Sequence, residues 1–397
     1  MKMVLRGNMA TAYAAKLARV EVIPAYPITP STLFPEKISE FVANGEMNCQ
    51  FVKCESEHSA ISACVGASAA GARVATATSS QGLALMHEVL FIAAGMRLPI
   101  VMAVGNRALS APINIWCDHQ DTIAERDSGW LQFYAEKNQE TLDLMLMAFK
   151  ICEDHRVLLP AMVGMDAFVL THTMECVEIP DQKDVDEFLP PYKPFYKLDV
   201  ENPMTFGAFS SPDNYMEFRY AVQMAMESAT KVIDEVFAEF ERKFGRKYAR
   251  VVPFMVEDAE VVFVSMGSMT GTVKEGVRKL RAEGKKAGAI KITTLRPFPA
   301  DLLKKYLKNA KVVVVLERNI SLGFGGAVYP EISALFVNSK ARKKPKIYDF
   351  ILGLGGRDIM IKDIIEAYES ATRAYEEGRE DLVEWIGVKK ELIEVIK

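Results

Sequence analysis

Through residues 1–163, short apolar runs alternate with segments that carry the apolar spacing of amphipathic helices. This alternation restricts the fold strongly, because consecutive parallel strands need a crossover between them and a helix supplies it. It predicts a mostly parallel sheet with helices on both faces. The predicted strands are 20–25, 49–53, 73–78, 99–104 and 158–163, and the predicted helices are 8–17, 31–43, 56–71 and 83–95.

A proline-rich segment and a long helix follow. Residues 180–212 hold six prolines without a clear period, yet they also carry aromatic side chains, which a disordered linker would lack. We therefore expect an ordered arm that lies over a neighbouring chain. Its aromatic residues include Phe188, Tyr192, Phe195, Tyr196 and Phe206. The arm leads into a helix that is predicted to run from Asn214 to about Lys243 and to end at Gly245.

A second α/β unit is predicted from about Ala259 onwards. Its predicted strands are 261–265, 287–293 and 311–316, and its predicted helices are 272–282 and 300–307. Thr272 and Glu275 have the spacing of a capping box at the start of the first of these helices. The predicted domains are therefore 1–250, which includes the arm and the long helix, 251–365, and a helical extension at 366–397.

Composition and cysteine spacing exclude several classes of protein. At 397 residues the chain is too long for one ordinary core, and its net charge of -4 argues against nucleic-acid or anionic-membrane partners. The apolar region 83–104 is interrupted by His87, Glu88 and Arg97, so we expect neither a membrane span nor a signal peptide. The six cysteines form no C-x-x-C pair, which argues against zinc or an iron–sulfur cluster on this chain and favours free thiols in a reducing cytoplasm.

Four loops follow predicted strands of the first sheet, where open α/β sheets bind their ligands. The loops are 26–31, 55–58, 79–82 and 105–108, the last of which runs on to 117–121. They offer the hydroxyl of Thr29, the carboxylate of Glu57, the amide of Gln81 and the guanidinium of Arg107. Pro27 and Pro30 stiffen the first loop on both sides of Thr29, because each proline fixes its own φ and restricts the residue before it.

Each of these residues also has a purely structural interpretation. Glu57 lies in a first helical turn, where the helix dipole favours acids. Arg107 is suited either to clamping a carboxylate or to capping backbone carbonyls, and Thr29 is suited to bonding its own loop. The glycine-rich runs 267–271, 323–326 and 353–357 are incomplete as phosphate-binding motifs, and ordinary turns are the better interpretation of them.

Taken together, several motifs in a fixed order resemble those of one family. They are Y-P-I-T-P-S-T (26–32), E-S-E-H-S-A (55–60), S-Q-G-L-A-L-M-H-E (80–88), N-R-A-L-S-A-P-I-N-I-W (106–116), D-H-Q-D (118–121), T-L-R-P-F-P (294–299) and G-L-G-G-R-D (353–358). Over nearly its whole length, the chain resembles the α subunit of the four-subunit 2-oxoacid:ferredoxin oxidoreductases, and it is most similar to the pyruvate type.

The resemblance implies a fold and a set of site residues. The first domain would be the pyrimidine-binding half of a thiamine diphosphate site, and the second would resemble the transketolase C-terminal domain. Glu57 matches the glutamate that hydrogen-bonds the aminopyrimidine ring, Arg107 would pair with the 2-oxoacid carboxylate, and Thr29 would face the substrate. The other expected cofactor contacts are Ile28, Ser80 and Gln81.

The implied reaction is the reversible oxidative decarboxylation of pyruvate with coenzyme A, which gives acetyl-CoA and carbon dioxide and passes electrons to ferredoxin. The chain lacks both a G-D-G…N diphosphate–magnesium motif and an iron–sulfur cysteine set. We therefore expect half of an active site here. The diphosphate half with Mg²⁺ would lie on a β subunit, and the [4Fe-4S] clusters would lie on partner chains of a complex that also includes γ and δ subunits.

Three alternatives remain open from the sequence. A branched-chain enzyme acting on 2-oxoisovalerate would share the mechanism and differ only in its substrate pocket. A non-catalytic scaffold would need neither Glu57 nor Arg107, although both are present at the matching positions. A stand-alone nucleotide-binding enzyme would need a complete phosphate loop, which the sequence does not contain.

Overall fold

The computed structural model describes residues 1–338 and 344–396. The strands are β1 (Lys2–Leu5), β2 (Val22–Ala25), β3 (Gln50–Lys53), β4 (Val74–Thr78), β5 (Ile100–Asn106), β6 (Leu131–Tyr134), β7 (Ala161–Asp166), β8 (Glu175–Glu178), β9 (Val251–Phe254), β10 (Val261–Met266), β11 (Ala287–Ile292), β12 (Thr294–Arg296), β13 (Val312–Glu317), β14 (Lys346–Ile351) and β15 (Val383–Trp385). The helices are α1 (Gly7–Leu17), α2 (Leu33–Ala43), α3 (Glu57–Ala69), α4 (Gln81–Leu85), α5 (His87–Gly95), α6 (Gln120–Ala124), α7 (Asn138–Cys152), α8 (Val169–His172), α9 (Gln182–Phe188), α10 (Tyr215–Phe244), α11 (Met269–Ala282), α12 (Ala300–Leu307), α13 (Val328–Val337), α14 (Ile361–Glu376) and α15 (Lys390–Ile396), with a short 3₁₀ turn at Leu354–Gly356.

The first sheet has seven strands in the order β12-β6-β7-β5-β4-β2-β3. All neighbouring pairs are parallel except β12 with β6. Every residue of β4 and β5 is buried, which explains why residues 100–104 of β5 form an unbroken apolar run and why β4 carries no charged residue. The predicted α/β class with a mostly parallel sheet is confirmed.

The order of the strands brings two loops of the candidate site together. From β2 the chain passes to β3 on one side, and then to β4 on the other side of β2. The helical connections therefore diverge at this point, and a crevice opens at the carboxyl ends of β2 and β4. The loops 26–31 and 79–82 leave the sheet at this crevice.

The second sheet has six strands in the order β15-β14-β13-β10-β11-β9, of which only β9 pairs antiparallel. Helices α11 and α14 pack on one face, and α12 and α13 pack on the other. Strand β12 leaves this unit and pairs with β6, so the two α/β units are joined through the first sheet. The domain limits near residues 250 and 365 stay a prediction.

Several predicted elements differ from the observed ones. The helix predicted at 83–95 is two helices, α4 and α5, and the strand predicted at 158–163 begins three residues later, at Ala161. Helix α11 begins at Met269, so Thr272 lies inside it and the predicted capping box is wrong. The C-terminal extension is not wholly helical, because β15 adds to the second sheet beside β14. The predicted elements do not include β1, β6, β8, β9, β12, β14, α6, α7, α8, α9 or α13.

The proline-rich arm contacts its own chain at several points. The carbonyl of Pro190 accepts a hydrogen bond from Arg73 at 2.7 Å, and the amide of Leu198 donates to Ala69 at 2.7 Å. Phe209 is 96% exposed, so part of the arm remains open to a further contact. The predicted contact with a neighbouring chain stays a prediction. Within residues 1–338 and 344–396, no helix has both the length and the apolar character needed to cross a bilayer.

Candidate active site

The loop after β2 is held rigidly and presents Thr29 outward. The carbonyl of Ile28 accepts hydrogen bonds from the amide and the hydroxyl of Ser31, both at 2.9 Å. The carbonyl of Pro30 accepts a hydrogen bond from the side chain of Asn8 at 2.6 Å. Pro30 is buried, whereas Thr29 is exposed. The two prolines therefore frame a hydroxyl that is accessible at the crevice.

Arg107 follows β5 and joins this loop from the other side. Its Nη1 donates to the carbonyl of Thr29 at 2.8 Å, and its Nε donates to the carbonyl of Asn114 at 2.9 Å. The capping role left open by the sequence is thus observed. However, Nη2 makes no hydrogen bond with the described part of the chain. Burial lowers the pKa of Arg107, and the nearby Asp121 carboxylate opposes that effect. Arg107 retains one fixed donor for a ligand.

Glu57 is a buried carboxylate without a protein partner. Ser56 caps helix α3 by accepting from the amide of Ser59 at 3.1 Å, which places Glu57 in the first turn. The side chain of Glu57 is 7% exposed, yet among the described residues none donates a hydrogen bond to its carboxylate. Buried carboxylates are normally paired, so this one is suited to receive a donor from a ligand.

Gly82 lets the loop after β4 approach Glu57 closely. An added Cβ at Gly82 would lie 2.7 Å from Oε1 of Glu57 and 2.5 Å from Oγ1 of Thr78, so only glycine fits without displacing them. The hydroxyl of Thr78 is buried and has no hydrogen-bond partner in the described residues. The carboxylate and the hydroxyl therefore both lie against the face of Gly82 where another residue would carry its side chain.

Ser80 and Gln81 complete this loop. Ser80 has a φ of 50°, and its hydroxyl lies within hydrogen-bond distance of two acceptors, the carbonyl of Ala108 and Oε1 of Gln81, between which its one proton is shared. The amide nitrogen of Gln81 is buried without a partner in the part of the chain that the structure describes. Gln81 therefore has a fixed oxygen and an unused donor.

Asp121 links the two loops, a role that was not predicted from the sequence. Its Oδ2 accepts hydrogen bonds from the backbone amides of Ser80 at 3.0 Å and Arg107 at 2.9 Å. Its Oδ1 accepts from the side chain of Asn106 at 2.9 Å. Burial raises the pKa of Asp121 to about 6, and these hydrogen bonds limit the rise. The D-H-Q-D motif was noted only as part of the family resemblance, and its spacing does not show what Asp121 contacts.

The predicted residues thus form one chain of contacts. Glu57 packs against Gly82, Asp121 ties Ser80 to Arg107, and Arg107 bonds Thr29. Ile28 lies in the same loop as Thr29 and is partly buried, but its side chain has no contact that assigns it a role.

A second polar cluster, which the sequence analysis missed, joins the two α/β units. The carboxylate of Asp166, at the end of β7, bonds His119 at 2.8 Å and accepts from Arg318 at 3.0 Å. Burial opposes ionisation, but His119 and Arg318 hold the pKa of Asp166 well below its usual range. Cys117, His119 and Asp166 bring possible metal-ligand atoms within 4.8 Å of one another. Because the carboxylate of Asp166 is already paired with Arg318 and hydrogen-bonded to the ring of His119, we interpret the cluster as a junction.

The three glycine-rich runs bind protein groups. The amide of Ser268, at the start of α11, donates to Asp166 at 3.1 Å. The amide of Gly326 donates to Asp349 at 2.6 Å, and the amide of Gly356 donates to the carbonyl of Cys117 at 2.6 Å. These contacts use amides that a phosphate would need, so the nucleotide-binding alternative gains no support.

A cavity of about 530 Å³ lies between the arm and the opposite end of the first sheet. It is lined by Met96 and Pro99, which precede β5, and by Tyr192 and Phe206 of the arm. Because ligands in open α/β sheets bind at the carboxyl ends of strands, the loops described above remain the better candidate site.

Two protein-family models match the chain. The model described as "Pyruvate flavodoxin/ferredoxin oxidoreductase, thiamine diP-bdg" matches residues 13–238. The model described as "Pyruvate:ferredoxin oxidoreductase core domain II" matches residues 259–364. Together they cover both α/β units.

Curated relatives match over nearly the full length. Pyruvate synthase subunit PorA of Pyrococcus furiosus is 61% identical over 98% of both chains. The subunit of the same name from Methanothermobacter thermautotrophicus is 51% identical, again over 98% of both chains. Ketoisovalerate oxidoreductase subunit VorA of Pyrococcus horikoshii is 50% identical over 98% of both chains.

Two solved structures share the fold. A 2-oxoglutarate:ferredoxin oxidoreductase from Magnetococcus marinus matches with a TM-score of 0.70 at 21% identity, over 93% of this chain and 65% of that one. A split-gene transketolase matches with a TM-score of 0.54 at 13% identity, over 94% of this chain and 99% of that one. At these identities the likeness concerns the fold alone, and it agrees with the predicted thiamine diphosphate-binding class. On the family models and the full-length relatives, the chain belongs to the pyruvate flavodoxin/ferredoxin oxidoreductase family.

Proposed function

We propose that the chain is the α subunit of a pyruvate:ferredoxin oxidoreductase that converts pyruvate, coenzyme A and two oxidised ferredoxins to acetyl-CoA, carbon dioxide, a proton and two reduced ferredoxins. Identity of 61% with a pyruvate synthase subunit, against 50% with a ketoisovalerate oxidoreductase subunit, supports pyruvate as the substrate. The branched-chain 2-oxoisovalerate enzyme is the second candidate, because that relative matches over the same length.

One observation carries the proposal at the level of the site. Glu57 is buried, receives no hydrogen bond from any residue that the structure describes, and lies against the side-chain-free backbone of Gly82. The aminopyrimidine of thiamine diphosphate would supply the missing donor to this carboxylate once its ring nitrogen carries a proton. The unpartnered Thr78 hydroxyl and Gln81 amide also fit a heteroaromatic ring with both donors and acceptors. The residues present therefore suit the pyrimidine half of the cofactor.

The chain would contribute three functions to the reaction. Bound thiamine diphosphate supplies the carbanion chemistry and the electron sink, so the protein needs no nucleophile of its own. Glu57 would hold a proton at the pyrimidine ring nitrogen. Arg107 would bind the carboxylate that leaves as carbon dioxide, through Nη2, which makes no hydrogen bond with the described residues. Thr29 would orient the substrate from the rigid proline loop, and Ile28, Ser80 and Gln81 would line the cofactor.

We further propose that partner chains complete the active site. The sequence holds no diphosphate–magnesium motif and no cysteine set for a cluster. A β subunit would bind the diphosphate and Mg²⁺, and partner chains would carry the [4Fe-4S] clusters, with γ and δ subunits in the same complex and ferredoxin as acceptor. The six cysteines are free thiols, which supports a reducing, cytoplasmic setting.

The test is made on the complex isolated from its native cells through a tag on this chain. We expect viologen reduction that requires both a 2-oxoacid and coenzyme A, with pyruvate preferred over 2-oxoisovalerate and 2-oxoglutarate. The preparation should contain iron and companion chains.

Activity led by 2-oxoisovalerate would correct the substrate and keep the site. A preparation without iron, companion chains or 2-oxoacid-dependent activity would overturn the proposal and favour the scaffold alternative.

A further inference from the structure

The second α/β unit reaches the candidate site through its G-L-G-G-R-D motif. This motif is incomplete as a phosphate-binding loop, and the roles proposed for the other site residues do not account for its two consecutive glycines. Its backbone lies against the segment that follows Arg107. The amide of Gly356 donates to the carbonyl of Cys117 at 2.6 Å, and the amide of Gly355 donates to the carboxylate of Asp118 at 3.3 Å.

Asn114 connects this contact to Arg107. Its side-chain nitrogen donates to the carbonyl of Gly355 at 3.0 Å, and its side-chain oxygen accepts from the amide of Trp116 at 2.8 Å. Its backbone carbonyl accepts the 2.9 Å hydrogen bond from Nε of Arg107. One residue thus bonds the guanidinium with its backbone and the second unit with its side chain.

The segment between Arg107 and Cys117 is a closed loop. The amide of Ala108 donates to the carbonyl of Trp116 at 3.0 Å, which brings its two ends together. Its middle is exposed, with Ile113 80% accessible, so the loop has little core packing of its own to fix its shape. Contacts at its base therefore decide where the carbonyl of Asn114 lies.

The close approach requires glycine at both positions. Gly355 has a φ of 60° and Gly356 a φ of 80°, in the left-handed region. An added Cβ would lie 2.6 Å from the side-chain nitrogen of Asn114 at Gly355, and 2.2 Å from Cβ of Trp116 at Gly356. A substitution at either glycine would displace the loop that holds Arg107.

We propose that the Gly355–Gly356 turn, acting through Asn114, is a positioning element that sets the guanidinium of Arg107 for the substrate carboxylate. The inference rests on the proposed role of Arg107 in the site. It gives the second α/β unit a part in substrate binding, although the cofactor residues all lie in the first unit.

The test uses Gly355→Ala and Asn114→Ala in the assembled complex, with Gly378→Ala as the matched control. Gly378 has a similar φ of +72°, but an added Cβ there meets no described atom within 4 Å, so it reproduces the backbone strain without the contact. We expect both test variants to raise the KM for the 2-oxoacid about tenfold, as for loss of one hydrogen bond to a charged group. In both test variants, kcat and the affinity for thiamine diphosphate should change by less than about twofold. In the Gly378→Ala control, KM, kcat and that affinity should all change by less than about twofold.

A double-mutant cycle separates positioning from general damage. In an Arg107→Ala background, Gly355→Ala should raise KM no further, because the group that it positions is absent. A KM effect that persists without Arg107, or one equal to that of Gly378→Ala, would overturn the inference. If the Gly355→Ala variant does not assemble into the complex, the same double-mutant cycle is measured with Asn114→Ala and is interpreted in the same way. If Arg107→Ala itself leaves KM unchanged, the proposed function of Arg107 fails instead.

Discussion

The guanidinium of Arg107 donates a 2.8 Å hydrogen bond to the carbonyl of Thr29, which lies 78 residues earlier in the chain. This contact joins the loop after β5 to the proline loop after β2, and it leaves one guanidinium nitrogen without a partner in the described residues. The two side chains proposed to contact the substrate therefore share one fixed frame.

The first prediction concerns the fork of Arg107. Arg107→Lys keeps the positive charge, but a single ammonium nitrogen cannot hold the carbonyls of Thr29 and Asn114 and also present a separate nitrogen to the substrate. We expect the KM for the 2-oxoacid to rise by about tenfold or more, with a smaller change in kcat. Steady-state kinetics of the purified complex measure both. If Arg107 only caps carbonyls, the variant will lower the unfolding midpoint and leave KM unchanged.

The second prediction concerns the carboxylate of Glu57. Glu57→Gln retains the size of the side chain but removes the group that holds the proton at the pyrimidine ring. We expect kcat to fall by about 10²–10⁴-fold, the usual contribution of acid–base catalysis. Glu55→Gln is the matched control, because Glu55 lies two residues away on the exposed side. Equal activity in the two variants would remove Glu57 from the chemistry.

The third prediction is a pH dependence caused by Asp121. Burial raises its pKa to about 6, so the carboxylate is ionised above that pH and accepts from the amides of Ser80 and Arg107. We expect kcat/KM to fall as the pH drops through about 6, because protonation removes acceptor capacity. Asp121→Asn should lower kcat/KM about tenfold at pH 7.5 and abolish this step.

The control for Asp121 is Asp143→Asn. Asp143 is equally buried, but its carboxylate pairs with Arg246 and Tyr248 and contacts no residue of the candidate site. The Asp143→Asn variant should retain the wild-type pH profile of kcat/KM in the assembled complex. A step near pH 6 that survives in Asp121→Asn belongs to another group.

The fourth prediction concerns stability and involves Glu317 in the second unit. Burial, helped by nearby Asp349, raises the pKa of Glu317 to about 8, although its Oε1 accepts from the amides of Val328 and Tyr329 at 2.7 Å. Between pH 5 and 8 the folded chain therefore binds a proton that the unfolded chain has lost. The free energy of unfolding should fall with rising pH in this range, by at most about 1.4 kcal/mol per pH unit from this residue.

Urea unfolding of the full chain at pH 5, 6, 7 and 8 measures this slope. Glu317→Gln cannot titrate, so its stability should depend less on pH over the same interval. Parallel slopes for the wild type and the variant would show that Glu317 is ionised throughout, contrary to the prediction.

The sequence was sufficient for the fold class and for the loops that form the site. Unbroken apolar runs such as 100–104 mark strands buried on both faces, and their carboxyl ends locate the crevice. Helix α7 was missed because nearly all of its residues are buried, so it lacks the one-sided apolar spacing of an amphipathic helix. Strand β12 was missed because it has three residues and pairs with a distant part of the chain.

The contacts that orient the site residues were beyond sequence reasoning. Asp121 bonds two amides only because α6 returns to the ends of β4 and β5, which no local pattern specifies. Likewise, Gly355 lies 241 residues from Asn114, and its role depends on how the two units pack. The sequence was enough to predict a carboxylate, a guanidinium and a hydroxyl at the site. The three-dimensional structure was needed to show which contacts position each group.

The central claim is that this chain supplies one half of a shared thiamine diphosphate site. The most direct measurement is calorimetric titration of thiamine diphosphate with Mg²⁺ into the folded, isolated chain and, separately, into the cofactor-depleted complex. We predict saturable binding by the complex and little or none by the isolated chain. Binding by the isolated chain with the affinity of the complex would contradict the claim, because the chain would then hold the whole cofactor by itself.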